Sequence, residues 1–128
     1  MKLLLDTHLL LWAAGVPGKL PTAARRLISN KRHELYFSAA SLWEIAIKQS
    51  LAREDFRAEP SLLRRGLLEN GYHEVPVTGE HAIAVAVLPA LHKDPFDRIL
   101  VAQAVVEGLQ LVTADTQVAR YPGPIRKV

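Results

Sequence analysis

Four carboxylates, Asp6, Glu44, Asp97 and Asp115, are the residues of this chain best placed to do chemistry. Clustered carboxylates repel one another and are costly to hold together unless they are protonated or bound to a cation. A hard divalent ion resolves that conflict. Mg²⁺, or Mn²⁺, takes oxygen ligands, keeps several waters and is held through one or two carboxylates together with substrate phosphates. The chain has no cysteine and its histidines lack zinc spacing, so thiolate and zinc chemistry are not expected. Each acid alone has a plainer explanation. Asp6, Asp97 and Asp115 could cap helices, Asp94 and Asp97 form a cap and third-position pair, and Glu44 could pair with Lys48 one helical turn on. Four such acids converging on one edge would not be explained by caps.

The elements that must bring them together alternate between strand and helix. KLLLD, from Lys2 to Asp6, reads as a buried strand that ends on a charge. THLLLWAA follows as a short helix, and Pro21 opens a second through TAARRLISNK. LYFS is the second strand and SAASLWEIAIKQS an amphipathic helix on which Glu44 shares a face with Ser41 and Lys48. PSLLRRGLLENG is helical, HEVPV a short strand, and EHAIAVAVLPAL helical and apolar almost all round. DPFDRILVAQAVVEG is a helix with Asp94 as cap, Pro95 at its first position and Gly108 at its end. LQLVT is the fourth strand, ADTQVARY a short helix and IRKV a candidate edge strand. This alternation predicts an α/β fold: a mainly parallel sheet of four to five strands with helices on both faces. Ligands of such sheets bind beyond the carboxyl ends of the strands, where strand order reverses. Asp6 and Asp115 both fall at that edge. If the first and fourth strands are neighbours, they share one crevice, and helices can bring Glu44 and Asp97 to its rim.

The 128 residues suit one domain, spanning 1–128, with one substantial core. Nearly half are hydrophobic, which argues against disorder. The leucine-rich start resembles a signal peptide, but Asp6 and His8 interrupt it. No run of about 18 apolar residues occurs, so no membrane-spanning helix is expected. A cytoplasmic location follows by default. The net charge of +3 and pI near 9.4 are compatible with a polyanionic partner without identifying one. Leu51 to Pro60 is the most polar stretch and is expected to be the most mobile.

The ordered set LLLDTH, SLWEIAIK, DPFDRILVAQA and VTAD resembles the PIN-domain ribonucleases, in particular the toxin half of VapBC-type toxin–antitoxin pairs. The resemblance runs through nearly the whole chain. It implies a metal-dependent endoribonuclease whose acids are Asp6, Glu44, Asp97 and Asp115, supported by Thr113 and Ser41. It also implies a small antitoxin protein as partner. An acid-lined cleft would accept an Arg or Lys from that partner near Asp6 and Asp115, beside an apolar segment in a nearby groove. RNA rather than DNA as the substrate rests on the resemblance, because metal-assisted hydrolysis needs no 2′-hydroxyl.

Several further residues are ambiguous. Asp94 is an extra acid near the site and reads first as a cap. Arg98 and Lys48 could meet a phosphate or pair with site carboxylates. His8 and His92 read as hydrogen-bonding neighbours of the acids. Trp12 and Trp43 read as core. The apolar helix from Glu80 to Leu91 predicts a homodimer that covers its outer side. A phosphoryl-accepting receiver or phosphatase also gathers acids around Mg²⁺, but it would need an acidic pair at Asp6, where Thr7 and His8 follow. A non-catalytic binding module on the same fold would have no use for the complete acid set.

Overall fold

The three leucines after Lys2 decide the architecture. In the computed structural model, which describes residues 1–51 and 58–128, β1 (Lys2–Leu5) is the central strand of a five-stranded sheet of order β3-β2-β1-β4-β5. Every pairing is parallel. A parallel central strand is buried on both faces, and Leu3, Leu4 and Leu5 are all fully buried. Successive side chains alternate between faces. Leu3 and Leu5 pack with Leu9, Leu10, Leu27, Phe37, Ile45, Leu63 and Leu67. Leu4 packs on the other side with Leu100, Val101, Ala104, Leu111 and Tyr121.

The first of these layers comes from α1 (Thr7–Gly15), α2 (Thr22–Ser29), α3 (Ala39–Ser50) and α4 (Pro60–Glu69). The second is built on α6 (Pro95–Glu107), against which α5 (Gly79–Val85) packs. The remaining strands are β2 (Glu34–Ser38), β3 (His73–Val75), β4 (Gln110–Thr113) and β5 (Ile125–Lys127). The first and fourth strands are indeed neighbours, with Leu5 opposite Val112. Connections leave β1 towards β2 on one side, and β4 lies on the other, so the order reverses between β1 and β4. That reversal opens a crevice at their carboxyl ends.

The boundaries of α6 follow local chemistry. Asp94 Oδ1 accepts from the backbone N–H of Phe96 at 2.9 Å, Pro95 takes the first position, and Gly108 closes the helix at φ 69°. The left-handed geometry there favours glycine. The expected helix from Glu80 to Leu91 is a correction. α5 ends at Val85 and gives way to turns before Pro89. Proline restricts the residue before it and cannot continue the ladder. The carbonyl of Val85 accepts from Leu88 N at 3.1 Å in the turn that follows, and from Arg98 Nη2 at 3.1 Å. Nor is the segment a uniform apolar cylinder, since His81 is fully buried within it. The short helix expected at ADTQVARY shrinks to a 3₁₀ turn, Val118–Arg120. The expected mobile stretch from Leu51 to Pro60 falls mostly outside the described residues. Among the described residues no helix is long and apolar enough to cross a membrane.

Candidate functional site

Asp6 follows β1 directly and is nearly buried. Its backbone N–H continues the ladder to Val112 O at 3.1 Å. Its Oδ1 caps α1 by accepting from Leu9 N at 2.9 Å, and its Oδ2 accepts from the Thr113 hydroxyl at 2.5 Å. The Thr113 oxygen in turn accepts from Asp115 N at 3.0 Å. One hydroxyl thus ties the two acids across the strand ends. Asp115 Oδ1 takes the N–H groups of Gln117 and Val118. Burial pushes the Asp6 carboxyl above its ordinary range, and the charge of Asp115 adds to this. Hydrogen bonds from Thr113 and Leu9 and the nearby His8 pull the other way.

The opposite wall comes from helices. Glu44 lies on the inner face of α3 and is buried. Its Oε2 accepts from Lys48 Nζ at 2.6 Å, while its Oε1 is buried with no hydrogen-bond partner among the described residues. An unpartnered buried carboxylate oxygen is expensive, and it is the donor that a hard cation would take. Ser41, one turn before, accepts from the Thr7 hydroxyl at 3.0 Å and fastens α3 to the end of β1. Asp97 sits in the first turn of α6, and its Oδ2 is 2.9 Å from His92 Nε2. Burial pushes its carboxyl up to about 6, with the charges of Asp94 and Glu44 adding and the His92 hydrogen bond opposing.

The four expected acids line one cavity of about 400 Å³ together with Thr7, His8, Trp12, Lys48, His92 and Asp94. The donors are carboxylate oxygens gathered around one cavity, with Glu44 Oε1 orphaned among the described residues, so the residues fit a divalent ion. Asp94 both caps α6 and faces this cavity. Arg98, a candidate for phosphate or carboxylate contact, is placed beside the cleft. It does not line the cavity; its guanidinium donates to Pro89 O, Val85 O and the Tyr121 hydroxyl. The segment before α6 supplies nearby carbonyls that hold it there. The reading as core holds in part for Trp12, which packs partly buried against the first core layer, and fails for Trp43. Trp43 is 63% exposed and packs edge-on to Phe96, and Trp12 is only partly buried and lines the cavity.

Thr7 and Tyr121 were not singled out from the sequence. Thr7, beside Asp6 in LLLDTH, had the signal of adjacency. Tyr121 had none, because its hydroxyl bonds to Arg98 and to His92 O only through tertiary packing.

Comparison with known proteins gives a consistent neighbourhood. The sequence model described as PIN domain matches residues 3–124. Ribonuclease VapC22 of Mycobacterium tuberculosis (strain ATCC 25618 / H37Rv) is 32% identical over 125 residues, 95% of each chain. A chain from the structure of VapBC2 from Rickettsia felis, bound to a DNA fragment from their promoter, superposes with a TM-score of 0.74 at 14% identity. The match covers 100% of this chain and 99% of that one. A chain of DNA-bound VapBC from Salmonella typhimurium gives 0.65 at 19% identity, covering 99% and 98%. At these identities the structural likenesses speak for the fold.

Proposed function

This chain belongs to the PIN-domain family and is a ribonuclease of the VapC kind, and we propose that its four carboxylates carry out a divalent-metal-dependent cleavage of RNA. The observation that carries this is the shared cavity of Asp6, Glu44, Asp97 and Asp115 with its orphaned Glu44 oxygen. Asp6, Glu44, Asp97 and Asp115 would hold Mg²⁺ or Mn²⁺. When bound, such an ion activates water and stabilises the oxygen that leaves the phosphorus. The chain's own residues do the rest. Thr113 fixes the face that Asp6 presents, and Ser41 with Thr7 sets the depth of α3. Lys48 neutralises one Glu44 oxygen and leaves the other for the ion.

As in VapBC pairs, the chain acts as the toxin and a small antitoxin holds it inactive in the cytoplasm. A separate apolar groove of about 660 Å³ suits that partner, lined by Leu11, Leu20, Ile28, Leu62, Leu63 and Tyr72. α1 lines both groove and cleft, so an amphipathic segment in the groove can direct a basic side chain to the acids. Two copies pair through the exposed Ile83 and Val87, which stand 75% and 84% accessible. The Val87→Glu chain should then run as a monomer in light scattering; a parent that is itself monomeric at micromolar concentration removes the pairing.

The deciding experiment incubates purified chain with total RNA and Mg²⁺, maps the new ends, and repeats this with Asp6→Asn. Discrete ends made by the parent alone support the reading, and identical ends from the variant refute it. Co-expression with a cognate antitoxin should relieve growth arrest, and Leu62→Asp should abolish that relief while RNA cleavage stays intact.

A further inference from the structure

The acids of the cleft are not a uniform oxygen cage. At the start of α6, one ligand atom each of His92, Asp94 and Asp97 lies within 4.8 Å of the others. That spacing is compatible with a single ion held by two carboxylates and an imidazole. His92 is fixed from behind. Its backbone carbonyl accepts from the Tyr121 hydroxyl at 3.2 Å, and that hydroxyl accepts from Arg98 Nη1 at 2.9 Å. Arg98 also holds the carbonyls of Val85 and Pro89. The turn that bears His92 is therefore clamped to α6, and its ring is kept at Asp97. Asp94 commits Oδ1 to the helix cap. The orphaned Oε1 of Glu44, buried and lining the same cavity, is a separate sign that the cavity is built for a cation.

Resting on the reading of the cleft as a metal site, we propose that His92, Asp94 and Asp97 form a distinct cation position with a nitrogen donor, selective for Mn²⁺ over Mg²⁺. At Asp6 and Asp115 the groups held in place are carboxylates, with the imidazole of His8 nearby. Imidazole suits first-row transition ions, whereas Mg²⁺ keeps to oxygen and parts with water reluctantly. The surrounding charges divide in the same way. Asp97 feels Asp94, His92 and Glu44, while Asp6 feels His8 and Asp115. His8 also lines the cavity, so the test must separate the two histidines.

The full-length chain is loaded with Mn²⁺ alone and examined by electron spin-echo modulation for coupling to imidazole nitrogen. Mn²⁺ and Mg²⁺ affinities are measured by calorimetry on the same samples. The parent should show the nitrogen coupling, and His92→Gln should lose it. The variant's Mn²⁺ affinity should fall about tenfold or more, with Mg²⁺ affinity changed by less than about threefold. His8→Gln should keep the coupling. Bound Mn²⁺ without nitrogen coupling in the parent overturns the proposal and leaves the metal reading standing. Coupling that persists in His92→Gln also overturns it. A chain that binds neither ion overturns the proposal and the metal reading together.

Discussion

The two walls of the cleft are built by different means. On the sheet side, Asp6 and Asp115 leave adjacent parallel strands, and backbone pairing sets their separation. The Thr113 hydroxyl bridges them by donating to one and accepting from the backbone of the other. On the helix side, Asp97 and Glu44 stand on two different helices and are placed by side chains: His92 against Asp97, and Lys48 against Glu44. The sheet wall is held by parallel pairing on both sides of β1 and by leucines buried on both of its faces. The helix wall depends on side-chain contacts between elements, the Thr7–Ser41 bond for α3 and the Arg98–Tyr121 clamp for the turn before α6.

Removing a ligand from either wall should have the largest effect. Asp6→Asn and Asp97→Asn are each expected to lower RNA cleavage by more than about 100-fold, beyond the range typical of an outer-shell partner. Neither should unfold the chain. Asn remains a good N-cap at position 6, and both changes remove a buried charge. Circular dichroism with a cleavage time course checks this, and a Glu44→Gln or Asp115→Asn chain should behave alike.

Thr113→Val probes the sheet wall alone. It leaves Asp6 Oδ2 and the Asp115 N–H without their shared hydroxyl, at a cost of about 1–3 kcal/mol. Stability in urea should fall by that amount and cleavage by about 10–100-fold, whereas Thr113→Ser should restore most of both. Equal stability of Val and Thr at position 113 would mean that the strand ends do not depend on the bridge.

The helix wall should reveal itself by pH in metal-free protein. The Asp97 carboxyl is pushed up to about 6 from its ordinary 3.8. Raised in the fold, it favours the protonated state. Its stabilisation is complete below about pH 4 and lost as pH rises through 6. The shift of roughly two units corresponds to a change on the order of 3 kcal/mol at most. Denaturation of EDTA-treated parent and Asp97→Asn between pH 4.5 and 7.5 should show a shallower slope in the variant. Divalent ion should reverse the order at pH 7.5 by stabilising only the parent.

The smallest effect is expected at the clamp behind His92. Tyr121→Phe keeps the packed ring and removes two hydrogen bonds, one to Arg98 and one to the His92 carbonyl. Cleavage should fall by a few fold, with stability lowered by about 1 kcal/mol. Arg98→Lys should do more, since lysine cannot reach three acceptors in a planar fork.

What the sequence allowed to be read follows the same division. The sheet wall depends on strand order and on runs such as KLLLD and LQLVT, whose apolar pattern and terminal acids are local signals. The cap at Asp94, the proline after it and the glycine at 108 likewise marked α6 at both ends, because each acts through its own backbone. The helix wall was harder. α5 was overextended to Leu91 because its apolar run masks both the break before Pro89 and the capping of Val85 O by Arg98. That guanidinium comes from another helix, so no local pattern reveals it, and from sequence a cation beside Asp97 suits a phosphate or a carboxylate equally. Trp43 was read as core from its position on an amphipathic helix. The face it occupies points out of the sheet layer, and only packing shows that.

The most direct measurement is single-turnover cleavage of one defined RNA against Mg²⁺ concentration, for the parent, Asp6→Asn and Asp97→Asn. If both walls hold one metal-dependent site, the parent rate should saturate with Mg²⁺ and vanish in EDTA. Both variants should stay more than about 100-fold slower at every concentration. Full turnover in EDTA, or either variant cutting at the parent rate, would contradict a site shared between the two walls.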